Sequence, residues 1–345
     1  MAHRIFFGLA LAGGALAVLA QALGGVASHA HEMLFGQALA VVAGFLLTRL
    51  SPATLGAIVA AWCAARLVQA VPETPAALRA ALSLTATGSI ALTTGYSFLR
   101  GVKQASNLVF PTVCFGFVLA EALYQLGALG ALRCGTEAGR WLALGFVVLL
   151  IVAMGGRILG AAASGAAQRA GGGRLAPRPW LERLLLALLA AGFGAEALAV
   201  PYPMGPALIG AGAALICLRL ASWAPGLRRS AGDVVALAAG QAWLGLGLMT
   251  WAAAAGGHLP SVPPTAALHL AMVGGIGGTM LVMAMRAAAQ RERRSMPVRA
   301  APAVAGLMGG AALLRGIGGP ELLGAAALLW VVASMVAAAT VFGRR

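Results

Sequence analysis

The chain alternates between long apolar runs and short polar punctuation, and within the runs the apolar residues are continuous. Strict alternation would mark half-buried strands. Continuous runs of ~20 residues, rich in Ala and Leu, suit helices long enough to cross a ~30 Å hydrocarbon core. Twelve spans are predicted, at roughly 5–27, 32–50, 53–71, 76–98, 107–129, 139–160, 181–200, 203–221, 232–254, 264–287, 299–317 and 320–342. The expected fold class is therefore all-α, a polytopic transmembrane helix bundle. The longest polar connection, "GAAQRAGGGRLAPRPWLER", separates spans six and seven; Gly171 to Gly173, Pro177 and Pro179 make it a loop. It lies near the midpoint, so a single membrane domain made of two six-helix halves, 1–165 and 178–345, is expected, although no sequence repeat relates them.

Composition sharpens this picture. The 345 residues are 61% apolar and 10% charged, too little polar surface for a water-soluble domain of this length. The net charge is +15, yet the basic residues stand between spans and no basic run is interleaved with aromatics, so nucleic acid is not the partner; lipid headgroups are. Lys103 is the only lysine. Nineteen basic residues, Arg219 among them, fall in the tails and even-numbered connections and five in the odd ones. The bias is expected to place both termini of a multi-pass membrane protein in the cytoplasm. Arg4 and "VASHA" resemble a signal peptide, but the run from Ile5 to Ala27 exceeds an h-region of ~7–15 residues, and a retained first helix is expected. The four cysteines form no CxxC pair and suggest neither disulfides nor zinc.

The chemistry sits in the histidines. His29 and His31 enter span two, His258 lies in the outer connection "GGHLPSVPP", and His269 lies five residues into span ten, roughly 7–8 Å deep at ~1.5 Å per residue. Four of the five histidines thus fall on the outer side; His3 reads as a solvated terminal residue. Neutral imidazole ligates haem iron, copper and zinc, and an ionisable side chain within a span is a functional hypothesis by default. On a continuous helix His29 and His31 point apart, so they act together only where the helix starts between them. Glu32 would stand in the first turn, where the helix dipole favours a carboxylate whether or not it has a chemical role. Glu121 and Glu196 are further carboxylates within spans, suited to helix-to-helix hydrogen bonds or to proton movement. Gly274 and Gly278 have GxxxG spacing, which brings backbones close and could leave room beside His269 for a flat ring.

At "HAHEMLFGQALAVVAGFLLT" the sequence resembles the NnrS family, twelve-span bacterial membrane proteins containing haem and copper and linked to nitric oxide metabolism and nitrosative stress. His29, His31, Glu32, Met33, Leu34, Phe35 and Gly36 match its H-x-H-E-M-L-F-G motif, and Ala43 to Thr48 match A-G-F-L-L-T. "MGGRILG", with Gly155, Gly156 and Arg157, is similar to the G-G-R segment ending span six. "ALHLAMVGGIGGTMLVMAMRAA" is similar to the family's His-containing tenth span, supplying His269, Gly274, Gly277, Met280 and Arg286. The chain also departs from the pattern. Ser28 stands where a Trp precedes the first His, and Gly160 and Ala161 replace Pro and Phe. Ala238 and Gln241 replace a His and a Tyr in span nine, and Arg291 replaces a His after span ten.

The resemblance implies a haem-binding, and by its second metal a copper-binding, inner-membrane protein that handles or resists nitric oxide. His29, His31 and His269 are the expected ligands, with Glu32 orienting an imidazole. With family histidines missing, copper is expected to be substoichiometric. No nucleophile with a base, nucleotide motif or carboxylate pair names a reaction. Two other readings stand beside this one: a transporter or channel coupled through Glu121 or Glu196, and a cofactor-free partner subunit that binds another protein.

Overall fold

A computed structural model describes residues 2–24, 29–47, 50–71, 73–101, 108–176 and 178–343. Ser28, Thr48, Lys103 and Pro177, read above in the sequence, lie outside the described residues. Among those described there is no strand, and each of the twelve predicted spans coincides with a helical segment. In chain order these are α1 (Ala2–Leu23), α2 (29–46), α3 (Pro52–Ala70), α4 (Ala76–Gly101), α5 (Val109–Ala128), α6 (Gly135–Arg169), α7 (Pro179–Ala197), α8 (Met204–Leu227), α9 (Gly232–Ala255), α10 (Pro264–Arg291), α11 (Ala300–Ile317) and α12 (Leu323–Phe342). Nine helices among the described residues are long and apolar enough to cross a membrane. The protein is a multi-pass, all-α membrane protein.

Two helices are composite. In α2 an α-helical turn His29–His31 passes into a π-helical stretch Glu32–Ala38 and then into α-helix Leu39–Leu46. In α10 the order is α-helix Pro264–His269, π-helix Leu270–Gly277, α-helix Gly278–Arg291. Local signals set the ends elsewhere. Ser51 accepts a hydrogen bond from the Thr54 N–H and Pro52 opens the first turn of α3, the usual chemistry of a helix start. α6 runs on past the predicted span because Ala, Gln and Arg continue a helix well and no breaker arrives before the Gly171–Gly173 triplet.

The chain divides into two compact units, Met1–Leu150 with Glu196–Ala199, and Ile151–Ala195 with Val200–Arg345. In the first, α1 packs on α2, and α4 packs between α3 and α5. Phe6, Phe7, Phe35, Ile90 and Phe117 are buried there. In the second, α9 packs on α8, α10 and α11, and α12 lies along α11 and the last part of α10. Its core includes Leu185, Leu189, Ile209, Met308 and Trp330. Leu67, Leu246 and Leu328 are exposed, as lipid-facing side chains are, because acyl chains solvate them as well as a protein core does.

Arg219, counted above in a polar connection, is a correction. It lies within α8, which continues to Leu227, and is 1% exposed. Arg286, which ends its span as an anchor would, is ion-paired with Asp233 in the first turn of α9.

Helix packing in the second unit depends on small residues. A Cβ at Gly226 would fall inside the contact shell of the Ala163 carbonyl of α6, whereas one at Gly194 meets no atom within 4 Å. Gly226→Ala is expected to lower the melting temperature in detergent, overpacking costing about 1–3 kcal/mol. Gly194→Ala is expected to hold or raise it, since Ala is better than Gly within a helix by about 0.8–1.0 kcal/mol. Equal melting temperatures for the two variants would show the α6–α8 approach to be looser than described.

Candidate functional site

The H-x-H-E motif opens α2, and the helix already runs at His29 rather than starting between the histidines. At ~100° per residue the two rings leave the helix about 200° apart. His31 turns inward and is 1% exposed. Its Nε2 lies 2.9 Å from Glu121 Oε1 on α5. Gln125, one turn further along α5, donates from Nε2 to the same oxygen at 2.7 Å. The imidazole packs against the tilted rings of Phe35 and Tyr124, with ring centroids 4.9 and 4.6 Å away. Its other nitrogen, Nδ1, faces Glu32 Oε1 at 3.6 Å, and Arg66 of α3 donates to that oxygen at 2.9 Å. Hydrogen bonds thus tie α5 to α2 through Glu121–His31 and α2 to α3 through Glu32–Arg66, and the two pairs approach to 3.6 Å at His31 Nδ1, which itself has no hydrogen-bond partner. Gly36 of the motif leaves room for the Glu32–Arg66 pair: a Cβ there would lie 3.2 Å from the Arg66 guanidinium and 3.3 Å from Glu32.

His29 and Glu32 line a cavity of about 350 Å³ between α1, α2 and α3. Gln37, Trp62, Arg66 and Gln69 complete its polar wall, and Ala12, Gly13 and Ala17 of α1 form a smooth opposite wall. Leu16 and Leu67, 66% and 68% exposed, also line it, so it communicates with the lipid-facing surface.

In the second unit His269 ends the first α-helical part of α10. Its Nδ1 lies 2.6 Å from the Thr265 carbonyl oxygen one turn back. A carbonyl only accepts, so Nδ1 carries the hydrogen and in the neutral ring the lone pair is on Nε2, the nitrogen a metal takes. His258 is exposed in the connection before α10. His3, expected to be solvated, is half-buried with its ring edge-on to Phe7 at 6.3 Å.

The two motif histidines share a backbone setting. Each is followed at once by a π-helical stretch, in which Leu39 N–H reaches Leu34 O and Gly278 N–H reaches Val273 O, five residues back. Each has a glycine five residues on, Gly36 and Gly274. The space beside Gly274 and Gly277 is filled by indole rings. A Cβ would lie 2.7 Å from Trp243 at the first and 2.6 Å from Trp330 at the second. Of the GxxxG pair, Gly274 thus faces the Trp243 indole, whereas a Cβ at Gly278 would meet Met308 at 3.4 Å.

A further polar cluster was not legible in the sequence. Arg219 donates to Glu182 at 2.8 Å, to Gln241 Oε1 at 2.9 Å and to the Val152 carbonyl at 3.2 Å, with its guanidinium 5.2 Å from the Trp223 ring. Gln241 donates in turn to the Ile151 carbonyl at 3.1 Å. The G-G-R motif supplies the seat. Gly155 and Gly156 stand one turn beyond Ile151 and Val152, where a Cβ would lie 2.8 Å from Gln241 and 2.7 Å from Glu182. At Gly160, the first of the two positions where the family pattern has Pro and Phe, a Cβ would lie 3.1 Å from the Trp223 ring. The available signal was Arg219 itself, a charge just inside the end of the predicted span 203–221.

These residues suit one cofactor better than the other. Haem iron is held by as few as one or two protein ligands, and His269 through Nε2 and the cavity-lining His29 are the imidazoles that would hold it. His31 has Nε2 bonded to Glu121, so it can ligate only through Nδ1. Among the described residues no three His, Cys, Asp or Glu side chains converge as a copper site requires.

The His31–Glu121 pair is fully buried, so removing one partner strands the other. Glu121→Ala and His31→Ala are each expected to destabilise strongly, by about 3–5 kcal/mol, with the double variant far less than additive. Glu121→Gln, which can still accept, is expected to retain most of the stability. Additive single-variant losses in a thermal double-mutant cycle would dissolve the pair.

No curated protein and no solved structure matches the chain. The family model described as NnrS protein matches residues 1–343, essentially its whole length, and the chain belongs to the NnrS family.

Proposed function

We propose that the protein is a haem-binding inner-membrane protein acting in nitric oxide metabolism or the response to nitrosative stress. The observation that carries this reading is the His269 tautomer, fixed by the Thr265 carbonyl so that Nε2 carries the lone pair. Family membership supports it. His29 and His269 are the imidazoles offered to metal, one in each unit. Glu32 stands beside His29 in the cavity wall and holds Arg66 there. Haem iron, when bound, supplies a centre for a diatomic ligand such as nitric oxide. The chain supplies the imidazoles, a lipid-facing approach past Leu16 and Leu67, and a polar wall that orients whatever enters. Glu121 serves here as the carboxylate that fixes His31, through the one oxygen that His31 and Gln125 share.

Purified protein is expected to show a Soret band. Its height per chain should fall in His29→Ala, His31→Ala and His269→Ala and stay unchanged in His3→Ala, and added imidazole should restore part of the loss in His269→Ala. Metal analysis of the same samples is expected to find copper well below haem. Full haem occupancy with an unshifted spectrum in both the His31 and His269 variants would place the site elsewhere.

Both termini are assigned to the cytoplasm by the arginine bias. Reporter fusions at Gly172 and Gly257 should then report cytoplasm and periplasm respectively. Finding the two on one side of the membrane sinks the assignment.

A further inference from the structure

The second unit carries a cavity that neither haem nor the buried clusters use. It measures about 740 Å³ and lies where the connection 292–299 meets the last turns of α12, at the end of the bundle that the arginine bias gives to the cytoplasm. One wall is cationic and polar, from Arg293, Arg294 and Ser295; the other is apolar, from Val336 and Ala339. That combination matches an amphiphile with an anionic head and an acyl chain.

The arginines are prepared for such a ligand. Arg294 donates from Nε to Glu292 at 2.8 Å and from a terminal nitrogen to the Val341 carbonyl at 3.0 Å. Its guanidinium is therefore already ordered, which removes part of the entropy cost of binding. Arg293 follows the helix cap Glu292 with φ of 52°, and Arg294 N–H bonds back to the Ala289 carbonyl at 3.0 Å. This is the left-handed position that closes a helix and that glycine fills best. An arginine there is conformationally costly, so capping alone does not account for it. Its side chain is exposed, and among the described residues no carboxylate pairs with it. Nearby, Val298 is 83% exposed, an apolar side chain among arginines, as suits a segment lying at the lipid interface.

We propose that this cavity binds the phosphate of an anionic phospholipid, with Arg293 and Arg294 on the phosphate and Val336 and Ala339 along the first part of an acyl chain. The shared chemistry, a phosphate, could also come from solution, and the apolar wall favours the lipid.

The test uses the full chain in neutral detergent, with thermal unfolding followed as phosphatidylglycerol, phosphatidylcholine or inorganic phosphate is titrated in. Phosphatidylglycerol is expected to raise the melting temperature, less so at high salt, while the other two have little effect. Arg293→Gly removes the side chain and relieves the backbone, so without lipid it should be as stable as the parent or more so, yet bind phosphatidylglycerol about fivefold more weakly. Arg294→Gln should also weaken binding. Arg228→Gln with Arg229→Gln, basic residues of another connection, should leave it unchanged. Full protection by phosphatidylglycerol in Arg293→Gly overturns the proposal, and so does an equal loss in the Arg228/Arg229 variant, which would mark a general surface-charge effect. Protection by inorganic phosphate equal to that by lipid overturns the lipid assignment.

Discussion

A polar group withdrawn from water inside a bilayer must find its partner in the protein, and the contact between His31 and Glu121 is where the first unit meets that constraint. One carboxylate oxygen collects hydrogen bonds from His31 and Gln125. Beside the imidazole, 3.6 Å from its Nδ1, Glu32 pairs with Arg66. Three helices are joined by groups none of which could stay buried alone. The second unit answers the same constraint with a cation at its centre. Arg219 joins α8 to α7 through Glu182, to α9 through Gln241, and to α6 through the Val152 carbonyl. Each cluster stabilises its packing only while complete, because a stranded member costs more than the contact itself contributes.

The glycines of the sequence motifs complete this arrangement. A helix carbonyl at position i lies beneath the side chain at i+4, which ordinarily shields it. At Gly155 and Gly156 no side chain is present, and the carbonyls of Ile151 and Val152 accept additional hydrogen bonds from Gln241 and Arg219. Gly36 similarly leaves space for the Glu32–Arg66 pair, and its own carbonyl accepts from the Trp62 indole at 3.2 Å. Gln241 illustrates how a departure from the family pattern is absorbed. It stands where a Tyr is usual, and its amide both accepts from Arg219 and donates to the Ile151 carbonyl of α6.

The helices were legible because hydrocarbon thickness imposes a length and continuous apolarity on each span, and both can be read directly from the residues. The polar clusters were legible only one member at a time. His31 and Glu121 each stood out as ionisable residues in apolar surroundings, but ninety positions separate them and no periodicity pairs residues across helices. Arg219 was misplaced because an arginine near a span's end reads as loop, and only the helix continuing through "ASWAPGL" shows otherwise. The neighbours of Gly274 and Gly278 were hidden for a related reason. GxxxG spacing predicts a close approach without naming what approaches, and here it is Trp243 at the first and Met308 at the second.

No sequence signal announced the π-helical stretches, yet their placement follows a rule that joins the two units. A π-turn is rare and occurs mostly as a single-turn bulge within an α-helix, frequently at a functional site. In both α2 and α10 it begins at the residue after a motif histidine, and in both a glycine lies one i→i+5 turn beyond that histidine. The wider turn separates two demands. Before it, the α-helical turn fixes the imidazole, by the Thr265 carbonyl for His269 and by Glu121 for His31. Within it lies the glycine, where Gly36 meets the Glu32–Arg66 pair and Gly274 meets an indole, and the α-helix resumes only at Leu39 and Gly278. A straight α-helix would carry both demands on one register. The π-stretch lets the histidine be held in one register while the rest of the span packs in another.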